Sequence, residues 1–142
     1  MTTPYDDNNI FAKILRGELP SHKVYEDDKT IAIMDIMPRA DGHCLVIPKT
    51  ASRNMLDIET DDLNAVMATV QKMAHGVVKA FDADGVTIQQ FNESAGGQVV
   101  FHTHVHVIPR HEGAKMRPPA GDMADQDDLA EWAEKLRAAL AS

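Results

Sequence analysis

Residues 101–108 read Phe101-His102-Thr103-His104-Val105-His106-Val107-Ile108 and place a histidine at every second position. Side chains of a β-strand alternate between its two faces, so a strand here would carry the three histidines on one face. The other face, which includes Val99 and Phe101, would pack against a hydrophobic core. Because every buried imidazole needs hydrogen-bond partners, three in register indicate a functional cluster. We therefore predict a strand over Val99–Ile108 that presents His102, His104 and His106 together.

The rest of the chain alternates short strands with a few helices. Apolar patterns and turn residues predict four further strands at His22–Glu26, Thr30–Asp35, Cys44–Ile47 and Val86–Phe91. Helices are predicted at Ile10–Arg16, from an N-cap at Thr60 to about Phe81, and from about Asp127 to Leu140. This order predicts one domain over residues 1–142 with an α+β fold, in which an antiparallel sheet of about five strands packs with two main helices. We expect residues 1–9 to be flexible and residues 112–125 to form a loop before the last helix.

Composition excludes several classes of protein. The 142 residues carry a net charge of −8, which disfavours binding to polymeric nucleic acid because that affinity comes from neutralising many phosphates. The one cysteine, Cys44, allows neither an internal disulfide nor a cysteine-built zinc site. No apolar run reaches the ~20 residues that span a bilayer, and the N-terminus lacks the features of a signal peptide. We predict a cytoplasmic protein with no membrane partner.

Two kinds of chemistry fit the histidine cluster. Histidines two apart on a strand are good zinc ligands, but the outer pair would sit about 13 Å apart at the α-carbons at ~3.3 Å per residue. Two of the three, completed by His43 and Asp35, stay open as a metal site. Alternatively, the central His104 is a nucleophile, since neutral imidazole is available near pH 7 and protonation of one ring disfavours protonation of its neighbour. Gly96 and Gly97, just upstream, offer backbone N–H groups to an anion such as a phosphate.

The order His102-Thr103-His104-Val105-His106-Val107-Ile108 resembles the signature of the histidine triad (HIT) family of nucleotide hydrolases and transferases, in which histidines alternate with apolar residues. The similarity extends over nearly the whole chain. It includes the opening helix around Ile10-Phe11, the loop Asp35-Ile36-Met37-Pro38, the strand Gly42-His43-Cys44-Leu45-Val46-Ile47-Pro48-Lys49 and the segment Asn92-Glu93 to Gly97-Gln98. Thr103 departs from the signature, because the family has an apolar residue there.

The resemblance implies a role for each matched residue. His104 would attack the α-phosphorus of a purine nucleotide and form a nucleotidyl-histidine intermediate, while His106 would contact the phosphate and leaving group. His102 and His43 would orient and polarise the cluster. Asp35 would accept the ribose hydroxyls, and an apolar set would enclose the base, namely Ile10, Phe11, Ile14, Met34 and Ile36. Asn92, Gly97 and Gln98 would hold phosphate or sugar. The resemblance also implies no required metal or other cofactor and a homodimer with joined sheets.

One position departs from the family at the phosphate side. After Gly-Gln the family has Ser or Thr, whose hydroxyl can serve the leaving group, whereas this chain has Val99. Either valine suits the strand and the hydroxyl is dispensable, or protonation of the leaving group is impaired. The predicted function is a hydrolase or transferase that cleaves phosphoramidate or phosphoanhydride bonds at the α-phosphate of purine nucleotides. Two alternatives stay open, a non-catalytic nucleotide-binding or regulatory module and a zinc-binding protein.

Overall fold

The computed structural model describes residues 3–142 as a five-stranded sheet with three α-helices. The strands are β1 (Lys23–Glu26), β2 (Thr30–Met34), β3 (Cys44–Pro48), β4 (Gly85–Gln89) and β5 (Val105–Arg110). The helices are α1 (Ile10–Leu15), α2 (Thr60–Phe81) and α3 (Gln126–Ala141). The strand order is β1-β2-β3-β5-β4, and every neighbouring pair is antiparallel. This confirms the predicted α+β class, with about five strands and two main helices.

The two long helices cover one face of the sheet. The apolar stripe of α2, with Val66, Met73 and Val77 fully buried, packs together with α3 against Val46 and Val107 of the sheet. Apolar residues at three- and four-residue spacing place this stripe on one side of the helix, as the sequence predicts. The helix begins at Thr60, but its N-cap is Glu59, which makes no side-chain capping bond. Among residues 3–142, no helix is both long and apolar enough to cross a lipid bilayer.

The opposite face of the sheet is covered only in part. Phe11 of the short helix α1 packs there with Ile31, Ile33, Leu45 and Ile47. Side chains two apart on a strand share a face, so the residue that follows Ile33 at that spacing, Asp35, and the one that precedes Leu45, His43, continue this face beyond the apolar cluster. The uncovered end of the face is therefore polar.

The predicted strand Val99–Ile108 is wrong in its first half. Residues 99–104 form no strand and include bends at residues 100–102, and the strand begins only at Val105. Val99 is 78% exposed rather than buried. At its other end the strand continues two residues beyond Ile108, through Pro109, which pairs with Val86, to Arg110. The next strand along the sheet, β4, is also shorter than predicted and ends at Gln89 rather than Phe91.

The segment before α3 contacts the loop between β2 and β3, and residues 3–9 lead into α1. Residues 112–125 form no helix or strand, but the Arg117 N–H donates to the Arg39 carbonyl (2.8 Å) and the Ala124 N–H to the Ile36 carbonyl (2.9 Å). Residues 1 and 2 lie outside the described residues. Residues 3–9 also form no helix or strand, and Asn9 caps α1 by accepting the Ala12 N–H (2.9 Å). Flexibility of residues 1–9 stays a prediction.

Candidate active site

Three polar side chains meet at the uncovered end of the sheet. His106 lies on β5, His43 directly precedes β3, and Asp35 directly follows β2. His43 Nε2 is 2.9 Å from His106 Nδ1. An Asp35 carboxylate oxygen lies 3.4 Å from His43 Nε2 and 3.9 Å from His106 Nδ1. The antiparallel register of β2, β3 and β5 thus brings together residues that are up to 71 positions apart in the sequence (106 − 35 = 71).

His104 completes this cluster from outside the strand. Its ring centroid is 5.1 Å from that of His106 and 4.7 Å from that of Phe11, both in edge-on contact. The side chain of His104 is nearly buried, with 9% of the residue exposed. The structure therefore brings His104, His106 and His43 together as predicted, but strand alternation is not the cause for His104.

His102 occupies a separate environment behind this cluster. Its Nε2 lies 2.9 Å from the Pro48 carbonyl oxygen, and its Nδ1 lies 2.7 Å from the Tyr5 hydroxyl. The His102 backbone carbonyl, not its ring, contacts His104, at 2.7 Å from Nδ1. The prediction of three rings in register on one strand face is wrong, because only His106 belongs to the strand.

A pair of buried hydroxyls holds the bend between His102 and His104. The Thr103 N–H donates to the Ser52 carbonyl (2.9 Å), and the two side-chain oxygens are 2.7 Å apart. Both residues are almost fully buried. Thr103, which departs from the apolar pattern of the family, therefore has a partner in the loop after β3.

Hydrogen bonds determine which nitrogen carries the proton on His43 and His106. The Arg39 N–H donates to His43 Nδ1 (3.0 Å), so neutral His43 carries its hydrogen on Nε2. That hydrogen is donated to His106 Nδ1, which leaves the hydrogen of neutral His106 on Nε2. One backbone amide thus determines the tautomers of two rings.

A second set of bonds determines the tautomers of His104 and His102. A carbonyl oxygen only accepts, so His104 Nδ1–H donates to His102 O, and the lone pair of His104 is on Nε2, which makes no hydrogen bond within residues 3–142. His102 Nε2–H donates to Pro48 O in the same way, and its Nδ1 accepts from the Tyr5 hydroxyl. The Tyr5 oxygen in turn accepts from the Asn9 amide (3.0 Å).

Burial keeps these imidazoles neutral. Desolvation lowers the pKa of His104 to about 4, with a small contribution from the charge of protonated His102. It lowers the pKa of His43 and of His106 to about 3, and the Arg39 guanidinium and the neighbouring imidazoles add to this effect. Burial raises the pKa of Asp35 to about 6, because the charged carboxylate loses solvent. At neutral pH the site therefore holds neutral imidazoles beside an ionised Asp35.

The apolar residues predicted to enclose a base divide into two groups. Phe11 packs on His104, Ile10 and Ile36 are each more than 40% exposed, and Ile14 packs at the edge of the same apolar cluster. The prediction that Met34 encloses the base is wrong, because its side chain is buried on the helix-covered face of the sheet. Its neighbour Ile33 lies on the Phe11 face and was missed. Because β2 is buried on both faces, its sequence has no alternation that could distinguish them.

Gln98 is bonded entirely within the protein. Its amide oxygen accepts from the Glu93 N–H (2.8 Å) and the Asn54 amide (2.9 Å). Its amide nitrogen donates to the carbonyls of Arg53 (2.7 Å) and Val100 (3.0 Å). No donor of this side chain is left for a phosphate, so Gln98 shapes the loop and we revise the predicted direct contact.

The rest of this loop, residues 92–99, still offers donors. Asn92 accepts from the Met55 N–H and exchanges hydrogen bonds with Gln90, which leaves one amide hydrogen. Gly97 has φ +96°, a conformation that favours glycine. The predicted anion donors Gly96 and Gly97 are wrong, because their N–H groups donate to the carbonyls of Glu93 (3.0 Å) and Ser94 (3.0 Å). Within residues 3–142 the structure records no hydrogen bond from the Val99 N–H. Valine at position 99 is not explained by strand packing, because the residue is exposed and outside the strand.

Asp35, His43 and His106 are also the residues that could hold a metal ion. Their ligand atoms lie within 4.8 Å of one another, and this oxygen and nitrogen set suits zinc in type. A metal would need the lone pair of His43 Nε2, which carries the hydrogen because Nδ1 accepts from Arg39. The tautomers therefore do not fit a bound metal without rearrangement.

Comparisons with known proteins agree with this geometry. A family model described as HIT domain matches residues 16–113. The chain is 36% identical over 140 residues to adenosine 5′-monophosphoramidase HNT1 of Candida albicans, covering 93% of this chain and 91% of that protein. It is 40% identical over 103 residues to adenylylsulfatase HINT3 of Arabidopsis thaliana, covering 72% of this chain but only 52% of that protein. A crystal structure of a Hit-like protein involved in cell-cycle regulation from Bartonella henselae superimposes with a TM-score of 0.92 at 55% identity, covering 96% of this chain and 99% of that one.

Proposed function

This chain belongs to the HIT family, and we propose that it hydrolyses or transfers the nucleotidyl group of purine nucleotides by attack of His104 on the α-phosphorus. Phosphoramidate and phosphoanhydride bonds are the proposed scissile bonds. The relatives named as adenosine 5′-monophosphoramidase and adenylylsulfatase support this class of substrate. Those activities belong to the relatives, so the bond that this chain cleaves is a proposal.

The proposal depends on one observation, the free lone pair on His104 Nε2. The bond from His104 Nδ1–H to the His102 carbonyl fixes the tautomer, and burial keeps the ring unprotonated. A neutral imidazole with an accessible nitrogen is a nucleophile that needs no separate base. Nearby phosphate oxygens would find donors in the Val99 N–H and in Asn92.

The proposed reaction has two steps. His104 Nε2 forms a bond to the α-phosphorus while the bond to the leaving amine breaks, and the amine takes up a proton from solvent. The His106 Nε2–H donates a hydrogen bond to the phosphate or the leaving group and keeps its proton. Water then attacks the phosphorus, the bond to His104 breaks, and one proton of the water returns to solvent. A nucleoside monophosphate and free amine are the products, and His104 is regenerated.

The remaining residues would recognise the nucleoside. Asp35, ionised at neutral pH and partly exposed, is proposed to accept the ribose hydroxyls. Ile10, Phe11, Ile33 and Ile36 are proposed to enclose the base. No metal or other cofactor is proposed, and the active form is proposed to be a cytoplasmic homodimer.

Covalent trapping tests the nucleophile. The protein is incubated with adenosine phosphoramidate labelled at phosphorus and quenched in base, under which phosphohistidine bonds survive. Wild type should retain label on a peptide that contains His104, and His104→Ala should retain none and lose at least a thousandfold in kcat/KM. His75→Ala, a substitution at an exposed residue of α2, is the matched control and should behave as wild type.

Equal labelling of wild type and His104→Ala would overturn the nucleophile assignment. Tight binding of AMP with no turnover would instead favour the nucleotide-binding module. Stoichiometric zinc in untagged protein, without affinity for nucleotide, would favour the zinc-binding alternative.

A further inference from the structure

An ion pair joins the loop that is proposed to bind the phosphate to the segment after β3. The Arg53 guanidinium binds the Glu93 carboxylate with two bonds, Nε to Oε2 at 2.8 Å and Nη2 to Oε1 at 2.9 Å. Arg53 lies in the segment after β3, and Glu93 is the second residue of the 92–99 loop. A two-bond arginine–carboxylate pair fixes orientation as well as distance.

Other contacts hold both members of the pair. The Arg53 guanidinium carbon lies 4.1 Å from the centre of the Phe101 ring, and the Arg53 side chain is only 13% exposed. The Asn54 amide donates both to Glu93 (2.6 Å) and to the buried Gln98 (2.9 Å). An exposed ion pair contributes little, but one that is bidentate and part of a network contributes more.

The backbone at Glu93 explains why such a pair is needed. Glu93 has φ +66°, a conformation that is strained for a residue with a side chain. Its carbonyl accepts the N–H groups of both Gly96 and Gln98, which closes the turn that ends at Val99. The conformation of Glu93 therefore determines where the Val99 N–H and the Gly97 backbone lie.

We propose that the Arg53–Glu93 ion pair is a positioning device that sets the loop 92–99 for the phosphate of the nucleotide. Arg53 acts through Glu93 and does not itself touch the reacting atoms. The inference rests on the proposed function, because it assumes that a nucleotide phosphate binds at this loop. Within residues 3–142, neither side chain makes a hydrogen bond or ion pair with Phe11 or Asp35, which belong to the proposed nucleoside side.

Calorimetry with two ligands tests this role. Binding of AMP and of adenosine is measured for wild type, Arg53→Lys, Arg53→Ala and Glu93→Gln. The two charge-removing variants should bind AMP about tenfold more weakly and adenosine with unchanged affinity, because only AMP carries the phosphate. Arg53→Lys, which keeps the charge but loses the two-bond geometry, should fall between wild type and Arg53→Ala.

Controls separate positioning from folding and from the function itself. Lys135→Ala, on the exposed face of α3, should change neither affinity, and Tm values identify any variant that does not fold. Arg53→Ala/Glu93→Gln should lose no more AMP affinity than either single variant, since both break the same contact. Wild-type affinity for AMP in every variant, or an equal loss for adenosine, would overturn the positioning role. Failure of wild type to bind AMP would overturn the proposed function instead.

Discussion

His104 owes its protonation state to its surroundings. An exposed imidazole is half protonated near pH 6.5 and loses nucleophilicity below that value. Burial under Phe11 lowers the pKa of His104 to about 4, and the His102 carbonyl selects the tautomer with a free Nε2. Asp35 is affected in the opposite direction, because burial raises its pKa to about 6. We therefore expect Asp35 to be the group whose titration changes the proposed activity near pH 6.

This assignment predicts the pH dependence of kcat/KM. The substrate is an adenosine N-alkyl phosphoramidate, whose single phosphate charge stays constant between pH 5 and 8. Wild type should lose activity below an inflection near pH 6, as Asp35 takes up a proton and becomes a weaker acceptor for the ribose hydroxyls. Asp35→Asn should be about ten- to a hundredfold less active at pH 8, from the lost charged hydrogen bonds, but flat down to pH 5. An inflection near pH 6.5 that persists in Asp35→Asn would show that a histidine with an ordinary pKa controls the rate.

Among the structural elements, the bend before β5 places His104 beside His106. The sequence pattern assigns this placement to a longer strand. The bend is held by Ser52 and Thr103, whose hydroxyls are buried and paired. A second buried hydroxyl pair, Thr30 and Thr69, joins β2 to α2 (2.7 Å), and within residues 3–142 its two hydroxyls make no hydrogen bond to a histidine. The two pairs have similar chemistry, so they separate an effect on stability from an effect on the site.

Thr103→Val should lower both the free energy of unfolding and the kcat of the proposed reaction. Removing one hydroxyl leaves that of Ser52 buried without its partner, which costs about 1–3 kcal/mol of unfolding free energy in urea titrations. Because Thr103 adjoins His104, kcat should also fall, whereas Thr69→Val should lower stability and leave kcat unchanged. Ser52→Ala/Thr103→Val should recover much of the stability, since no unpaired hydroxyl remains. Equal effects of Thr103→Val and Thr69→Val on kcat would contradict this role of the bend.

Local patterns predicted the strands, the long helices and the residues of the site, but not how the site is assembled. Alternation from Val99 to Val107 matches a strand, yet the partner of Thr103 is Ser52, which is 51 residues earlier. No local pattern contains that contact. The internal hydrogen bonds of the Gln98 side chain likewise depend on residues distant in the sequence, Arg53 and Asn54. The sequence does not distinguish Met34 from Ile33, because a strand that is buried on both faces does not reveal which residue faces the site.

At the scale of the whole molecule, the sheet has an open edge at β4. β4 pairs only with β5, so its other edge is free within residues 3–142. Ile88 on this strand is 42% exposed, and Val78 of α2 is 40% exposed. An open edge with apolar residues beside it favours pairing with a second chain, and symmetric dimers are the commonest oligomers. This supports the proposed homodimer.

Sedimentation equilibrium tests the dimer. Wild type should have twice the mass of one chain at micromolar concentration. Ile88→Lys should shift the equilibrium to monomer, because it places an ammonium group in the apolar contact. Leu19→Lys, at an exposed apolar residue between α1 and β1, should remain dimeric. A wild-type protein with the mass of one chain would refute the dimer, and a dimeric Ile88→Lys would place the contact elsewhere.

The histidines are adjusted from parts of the chain that lie outside the HIT match at residues 16–113. Before it, Tyr5 binds His102 and Phe11 packs on His104. After it, Arg117 binds the carbonyl of Arg39, the residue whose amide sets the tautomer of His43. Substitutions before residue 16 or after residue 113 can therefore change the surroundings of the histidines while the histidine signature itself stays the same. Paralogues with identical motifs but different ends need not share a preferred leaving group.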